Sequence, residues 1–106
     1  MTPWLLLAGA IVCEVTATLS LKRAIDHPGL YAVVAAGYVA AFVLLTLTLK
    51  QGMGIGVAYG IWAACGVALT AVASKAFFSE PLTGVMMGGI ALIIAGVLLV
   101  ELGASH

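Results

Sequence analysis

One carboxylate in this sequence stands where water would not be expected. Glu14 interrupts an otherwise apolar run from Thr2 to Leu21, and an ionisable group inside such a run is costly enough to mark a functional site. No Lys or Arg lies at comparable depth in another apolar run to neutralise it. Burial penalises the charged carboxylate relative to the protonated one, so Glu14 can hold a proton or a cation but not both. That exclusion is sufficient for exchange. A cation entering from one side displaces a proton, and a proton from the other side later displaces the cation.

Helical spacing defines the neighbours of this group. Steps of three and four put Leu7, Ala10, Ile11, Ala17, Thr18 and Leu21 on the Glu14 face, where small residues beside the carboxylate leave space for a ligand. Tyr59 and Trp62 lie three apart on a second apolar run, with Gly66 four further on. Aromatic faces attract delocalised or quaternary cations by roughly 0.5 to 2 kcal/mol each, so Tyr59 and Trp62 are expected to bind substrate, with Tyr38 and Trp4 as further aromatic candidates. Trp4, near the end of its run, equally suits an interfacial belt.

The elements that must position these residues follow from composition. Of 106 residues, 64% are hydrophobic and 8% charged, and mean hydropathy is +1.26, whereas a soluble domain carries about a quarter charged residues. Four apolar runs, about 2–21, 30–49, 55–74 and 82–100, are each near the ~20 residues that cross a bilayer as a helix. The alternating polarity of a membrane barrel is missing. The first run opens with Met-Thr-Pro-Trp and holds a carboxylate, unlike a cleaved signal. The expected fold class is therefore an all-α integral membrane protein, a single transmembrane domain over 1–106 with four transmembrane helices.

The connections are short and rich in turn residues: Asp26-His27-Pro28-Gly29, Gln51-Gly52 and Ser79-Glu80-Pro81. Lys22, Arg23 and Lys75 fall in the first and third loops against Lys50 in the second, which favours cytoplasmic first and third loops, with insertion in both orientations still credible. Four helices barely enclose a polar path, so assembly is expected. Gly52, Gly56, Gly60 and Ala64, and Gly84 with Gly88, Gly89 and Gly96, offer close-packing faces for it. Cys13 and Cys65 read as small buried hydrophobes, and His27 and His106 lack companions at metal-ligand spacing. No metal is expected. Zero net charge excludes a nucleic-acid footprint, and Gly54-Ile55-Gly56 lacks the Gly-Lys-Ser/Thr of a phosphate loop.

At these residues the chain resembles the small multidrug resistance family of bacterial exporters, over essentially its whole length. The resemblance is carried by Cys13-Glu14-Val15-Thr16-Ala17-Thr18 with Leu21-Lys22, by Gly56-Val57-Ala58-Tyr59-Gly60-Ile61-Trp62 with Gly66, by Phe77-Phe78-Ser79-Glu80-Pro81-Leu82, and by Gly89 through Val97. It implies a non-enzymatic, proton-coupled antiporter of the bacterial inner membrane. Small organic cations and protons are its ligands, and the proton motive force takes the place of a cofactor. It also implies an antiparallel dimer whose two Glu14 carboxylates share a chamber, with Tyr59 and Trp62 as the aromatic pair. The dimerisation motif carries over to the fourth helix at Gly89, Leu92, Ile93, Gly96 and Val97.

Ala17 stands where the guanidinium-exporting branch usually has tryptophan, so the chain is more similar to the branch exporting quaternary ammonium compounds. Two further departures are Ala41, at a position often occupied by serine, and Glu101, an interfacial charge or a second cation-attracting site. Alternatives are a guanidinium or polyamine exporter, or one subunit of a pair formed with a paralogue of opposite orientation.

Overall fold

The computed structural model describes residues 2–104, so His106 lies outside the described residues. Four helices follow one another: α1 (Thr2–Ala24), α2 (Tyr31–Lys50), α3 (Ile55–Phe78) and α4 (Gly84–Gly103), with a short 3-10 turn at Pro28–Leu30 before α2. All four are long and apolar enough to cross a membrane, as the composition requires. The prolines fall where a missing N–H does no harm: Pro3 in the first turn of α1, Pro28 at the start of the 3-10 turn, and Pro81 between α3 and α4.

The helix ends differ from the ends of the apolar runs, for local reasons. α1 continues past Leu21 through Lys22 and Arg23, whose positive charges favour a helix C-terminus. α3 runs four residues past Ser74, whose hydroxyl donates to the Ala71 carbonyl within the helix at 2.7 Å. α4 starts at Gly84 because the Thr83 side chain caps it, accepting from the Met86 amide at 3.2 Å.

α3 stops at Ser79, which sits in the left-handed region at φ 55 and ψ 30, while the Glu80 amide returns to the Ser74 carbonyl at 3.3 Å. This closure normally uses glycine, since an L-residue there costs roughly 1–2 kcal/mol. Ser79→Gly should therefore stabilise the protein by about 1 kcal/mol, read as a higher midpoint of thermal unfolding in detergent.

Packing is tightest between α1 and α2. Ala10, Ala17 and Ala24 of α1, seven apart, are fully buried, and Val34, Ala41 and Thr48 of α2 repeat the interval. A seven-residue repeat of small or compact groups is the seam of a left-handed helix pair. A Cβ on Gly37 would stand 2.8 Å from the Ala17 methyl, so α2 approaches as closely as it does only because residue 37 has none. α3 completes the core with Ala58, Ile61 and Trp62 against Leu7, Ala10, Ala41 and Leu45.

The backbone of α4 runs close to α3 alone among the described residues, and no residue of α4 is buried, unlike α1, α2 and α3. The protomer is accordingly flat, 46 × 34 × 17 Å. The glycines of the faces noted in the sequence leave open space within the protomer. A Cβ on Gly56, Gly60, Gly84, Gly88, Gly89 or Gly96 would meet no atom of another helix within 4 Å among the described residues.

Candidate functional site

Glu14 lies within one turn of the midpoint of α1 (Thr2–Ala24). Its Oε1 is buried and has no hydrogen-bond partner among the described residues. The carboxylate lies against Gly66 of α3: a Cβ built there would be 2.6 Å from the Glu14 Cδ and 3.0 Å from Oε2. Gly66 is thus the notch that receives the acid. One helical turn on, the Thr18 hydroxyl donates to the Glu14 carbonyl at 2.8 Å and shares a 2.6 Å hydrogen bond with the Tyr38 hydroxyl. This places Tyr38 beside the Glu14 turn, linked through Thr18.

Trp62 grips the same turn from the other side. Its indole N–H donates to the Ala10 carbonyl at 3.3 Å, the carbonyl that an α-helix pairs with the Glu14 amide. The ring, only 6% exposed, packs edge-on against Phe42 at 5.2 Å and beside Tyr59 at 5.7 Å between centroids. Tyr59 itself is 54% exposed and points out of the protomer.

A groove of about 400 Å³ leads away from the carboxylate, lined by Glu14, Thr18, Gly66, Val67, Thr70, Ala71, Ser74 and Glu80. In the opposite direction the protein is closed by the packed layer of Leu7, Ala10, Ala58, Ile61 and Trp62. The groove thus runs from Glu14 to Glu80, toward the end of the bundle bearing the first and third loops. At that end the Lys22 ammonium donates to the Glu80 carboxylate and forms an ion pair with it. Phe78 lies under Lys22 and Arg23, at 5.4 and 5.5 Å from ring centroid to charge.

The hydrogen bond from Lys22 holds the Glu80 carboxyl below its ordinary value of 4.5. A carboxyl with a depressed folded value stabilises fully above the ordinary value and loses that contribution as pH falls through the folded one. Acidification from pH 6 to pH 3 should thus destabilise the wild type more than Glu80→Gln, by a small margin for so exposed a pair, as read by unfolding midpoints across that range.

Not every residue expected beside Glu14 is there. Leu7, Ala10 and Ala17 are buried under neighbouring helices and do not line the groove. The face defined by steps of three and four is broad, and its larger part is committed to α2 and α3. Ile11 is half-buried against the same core, and Ala41 is buried within it. Conversely, Val67, Thr70, Ala71, Ser74 and Glu80 line the groove and were not anticipated. Gly66, Thr70 and Ser74 recur every fourth residue, as do Glu14, Thr18 and Lys22, and these two polar stripes were the available signal. Phe42 carried none.

On α4, Val97 packs against the protomer's own core, Ile93 and Gly96 are half-buried, and Gly89 and Leu92 are exposed. Glu101 and Trp4 both line a second pocket of about 500 Å³, with Gln51 and Met53. Among the described residues no cluster suited to a metal ion occurs.

Comparison with known proteins gives consistent likenesses. The profile of the family described as Small Multidrug Resistance protein matches residues 2–93. A multidrug transporter of Pseudomonas aeruginosa is 39% identical over 96% of this chain and 94% of its own length. The multidrug resistance protein mmr of Mycolicibacterium paratuberculosis is 36% identical over 97% and 98%, and that of Mycobacterium leprae 37% over 97% and 98%.

Proposed function

The chain belongs to the small multidrug resistance family, a multi-pass transporter of the bacterial inner membrane, and on that footing we propose that it exports lipophilic and quaternary ammonium cations in exchange for protons. The observation that carries this reading is the Glu14 carboxylate, held at mid-span in a groove, with Oε1 lacking a hydrogen-bond partner among the described residues. A group so placed binds one positive charge at a time, whether proton or cargo. Charge is neutralised at the bottom of the groove by Glu14 itself. Neither Tyr59 nor Trp62 lines the groove of a single protomer: Trp62 is held in the core, and Tyr59, exposed on the surface, would offer its face to the cation's apolar body only in an assembly of two copies.

The groove favours bulky cations over guanidinium. Guanidinium presents N–H donors all around its plane and needs several acceptors, whereas the groove offers one mid-span carboxylate and a few hydroxyls, those of Thr18 and Ser74 tied to their own helices. A quaternary ammonium has no donor to satisfy. It needs only one carboxylate and an apolar wall, which Val67 and Ala71 provide.

An antiparallel homodimer completes the site in this reading. It is supported by three features: the groove runs from Glu14 toward Glu80 at one end of the bundle, Tyr59 is exposed, and the glycine surfaces of α3 and α4 are unfilled. Gly89, Leu92, Ile93, Gly96 and Val97 would form its α4 contact. A second copy in the opposite orientation would bring its own Glu14 groove facing the other way, and exchange of conformation between the two copies would then open the shared site to each face in turn. Lys22, Arg23 and Lys75 gather at one end against Lys50, a bias that equally suits a paralogous partner inserted the other way.

The test is uptake by proteoliposomes containing the purified chain alone, with an imposed proton gradient. Tetraphenylphosphonium accumulation driven by the gradient and accompanied by proton release is the expected result. Guanidinium uptake without tetraphenylphosphonium uptake would reassign the substrate, and transport of neither would point to a missing partner subunit.

A further inference from the structure

We propose that Glu80 and the Phe78 ring form a second organic-cation site at the mouth of the Glu14 groove, one that the chain's own Lys22 ammonium fills when no cargo is there. Glu80 and Glu14 line one continuous groove, so a cation leaving or approaching Glu14 by that route passes Glu80. The outer position brings a carboxylate and an aromatic face to one cation, the Lys22 ammonium. It also already holds cations. Lys22 is paired with Glu80 and stands 5.4 Å from the Phe78 centroid, with Arg23 at 5.5 Å on the same ring.

The occupant is exchangeable on physical grounds. The Lys22 and Glu80 side chains are 54% and 37% exposed, and ion pairs so exposed gain little over their hydrated partners. Lys22 can return to water at small cost. A lipophilic cation gains more from the site, because its apolar groups leave water for the Phe78 face while its charge meets the carboxylate. The surroundings do not repel it as a whole: Asp26 lines the adjoining pocket with Lys22 and Arg23, so these two bases are balanced by Asp26 and Glu80.

This inference rests on the cation-exporter reading above and adds a station to it. It differs from a purely structural bridge in the signs it imposes on two substitutions. If the pair only ties α1 to the loop before α4, Lys22→Met and Glu80→Gln both break the tie and act in the same direction. As a site, Lys22→Met removes a competitor and Glu80→Gln removes the binding charge, so they act oppositely.

The first measurement is equilibrium binding of tetraphenylphosphonium to purified Glu14→Gln protein, in which the inner carboxylate is gone. Weak binding should remain, strengthened about threefold to fivefold by Lys22→Met and weakened by a similar factor by Glu80→Gln, the scale of an exposed charge pair. The double substitution Lys22→Met with Glu80→Gln should resemble Glu80→Gln alone. In the otherwise wild-type chain, the same pair should move KM for tetraphenylphosphonium in opposite directions with smaller changes in kcat. Shifts of the same sign, or binding indifferent to Glu80, would overturn the outer site and leave the exporter reading intact. Absence of Glu14-dependent exchange in the unaltered chain would instead overturn the exporter reading.

Discussion

Glu14→Gln is expected to abolish proton-coupled cation exchange while leaving the protein folded. Glutamine keeps the shape and removes the charge. A pair of unit charges about 4 Å apart at an effective dielectric near 20 attracts by roughly 4 kcal/mol, so cation affinity at the inner site should fall by about 100-fold to 1000-fold. The proton side of the cycle disappears with it, since an amide does not titrate. Folding should not suffer, because Oε1 has no hydrogen bond to lose among the described residues and a neutral group is cheaper to hold in a bilayer than an ionised one. The measurement is paired: proton release on adding tetraphenylphosphonium to detergent-solubilised protein, and gradient-driven uptake in liposomes. Loss of both with an unchanged elution volume is the expected outcome. Retained proton release would mean that another group carries the proton and would sink the assignment of Glu14.

Gly66→Ala should be nearly as damaging to transport although it adds one methyl group. The new Cβ would stand 2.6 Å from the Glu14 Cδ, closer than non-bonded carbons approach, so the carboxylate must leave its notch. Misplacing a reacting or binding group by about 1 Å can cost on the order of 100-fold, and exchange should drop by about tenfold to 100-fold. Stability should change far less, because alanine improves helix propensity by up to about 1 kcal/mol over glycine, offsetting part of the crowding. Gly29→Ala, in the loop before α2 with nothing within 4 Å of its added Cβ, is the control and should transport normally. Normal transport by Gly66→Ala would show that the carboxylate has freedom the packing denies it.

The sequence was readable where one physical constraint dominated. Lipid as solvent forces continuous apolar helices, so four spans were evident from composition alone, and the misplaced charge of Glu14 identified itself by its cost. The site around it was less readable because periodicity defines a face and says nothing of which neighbour covers it. Ala10 and Ala17 share the Glu14 face in projection, yet α2 and α3 close over them, whereas Thr70 and Ser74, unremarkable in α3, turn toward the groove. Helix ends drifted for a related reason. The apolar runs end where polar residues begin, but Lys22, Arg23 and Lys75 continue their helices into the interface. The pairing of Lys22 with Glu80 joins residues far apart in sequence and follows only from α3 running parallel to α1, which sets their C-terminal ends side by side.

The fourth helix changes what stability means for this molecule. In water, a helix with no buried residue would be an unfinished core. In a bilayer its surroundings are as apolar as itself, and lipid tails compete with protein for the same surface on nearly equal terms. Whatever covers α4 does so by mass action within the plane of the membrane. With a second copy as the cover, the ratio of protein to lipid becomes a thermodynamic variable, and reconstitution at successive surface dilutions reads the association strength directly.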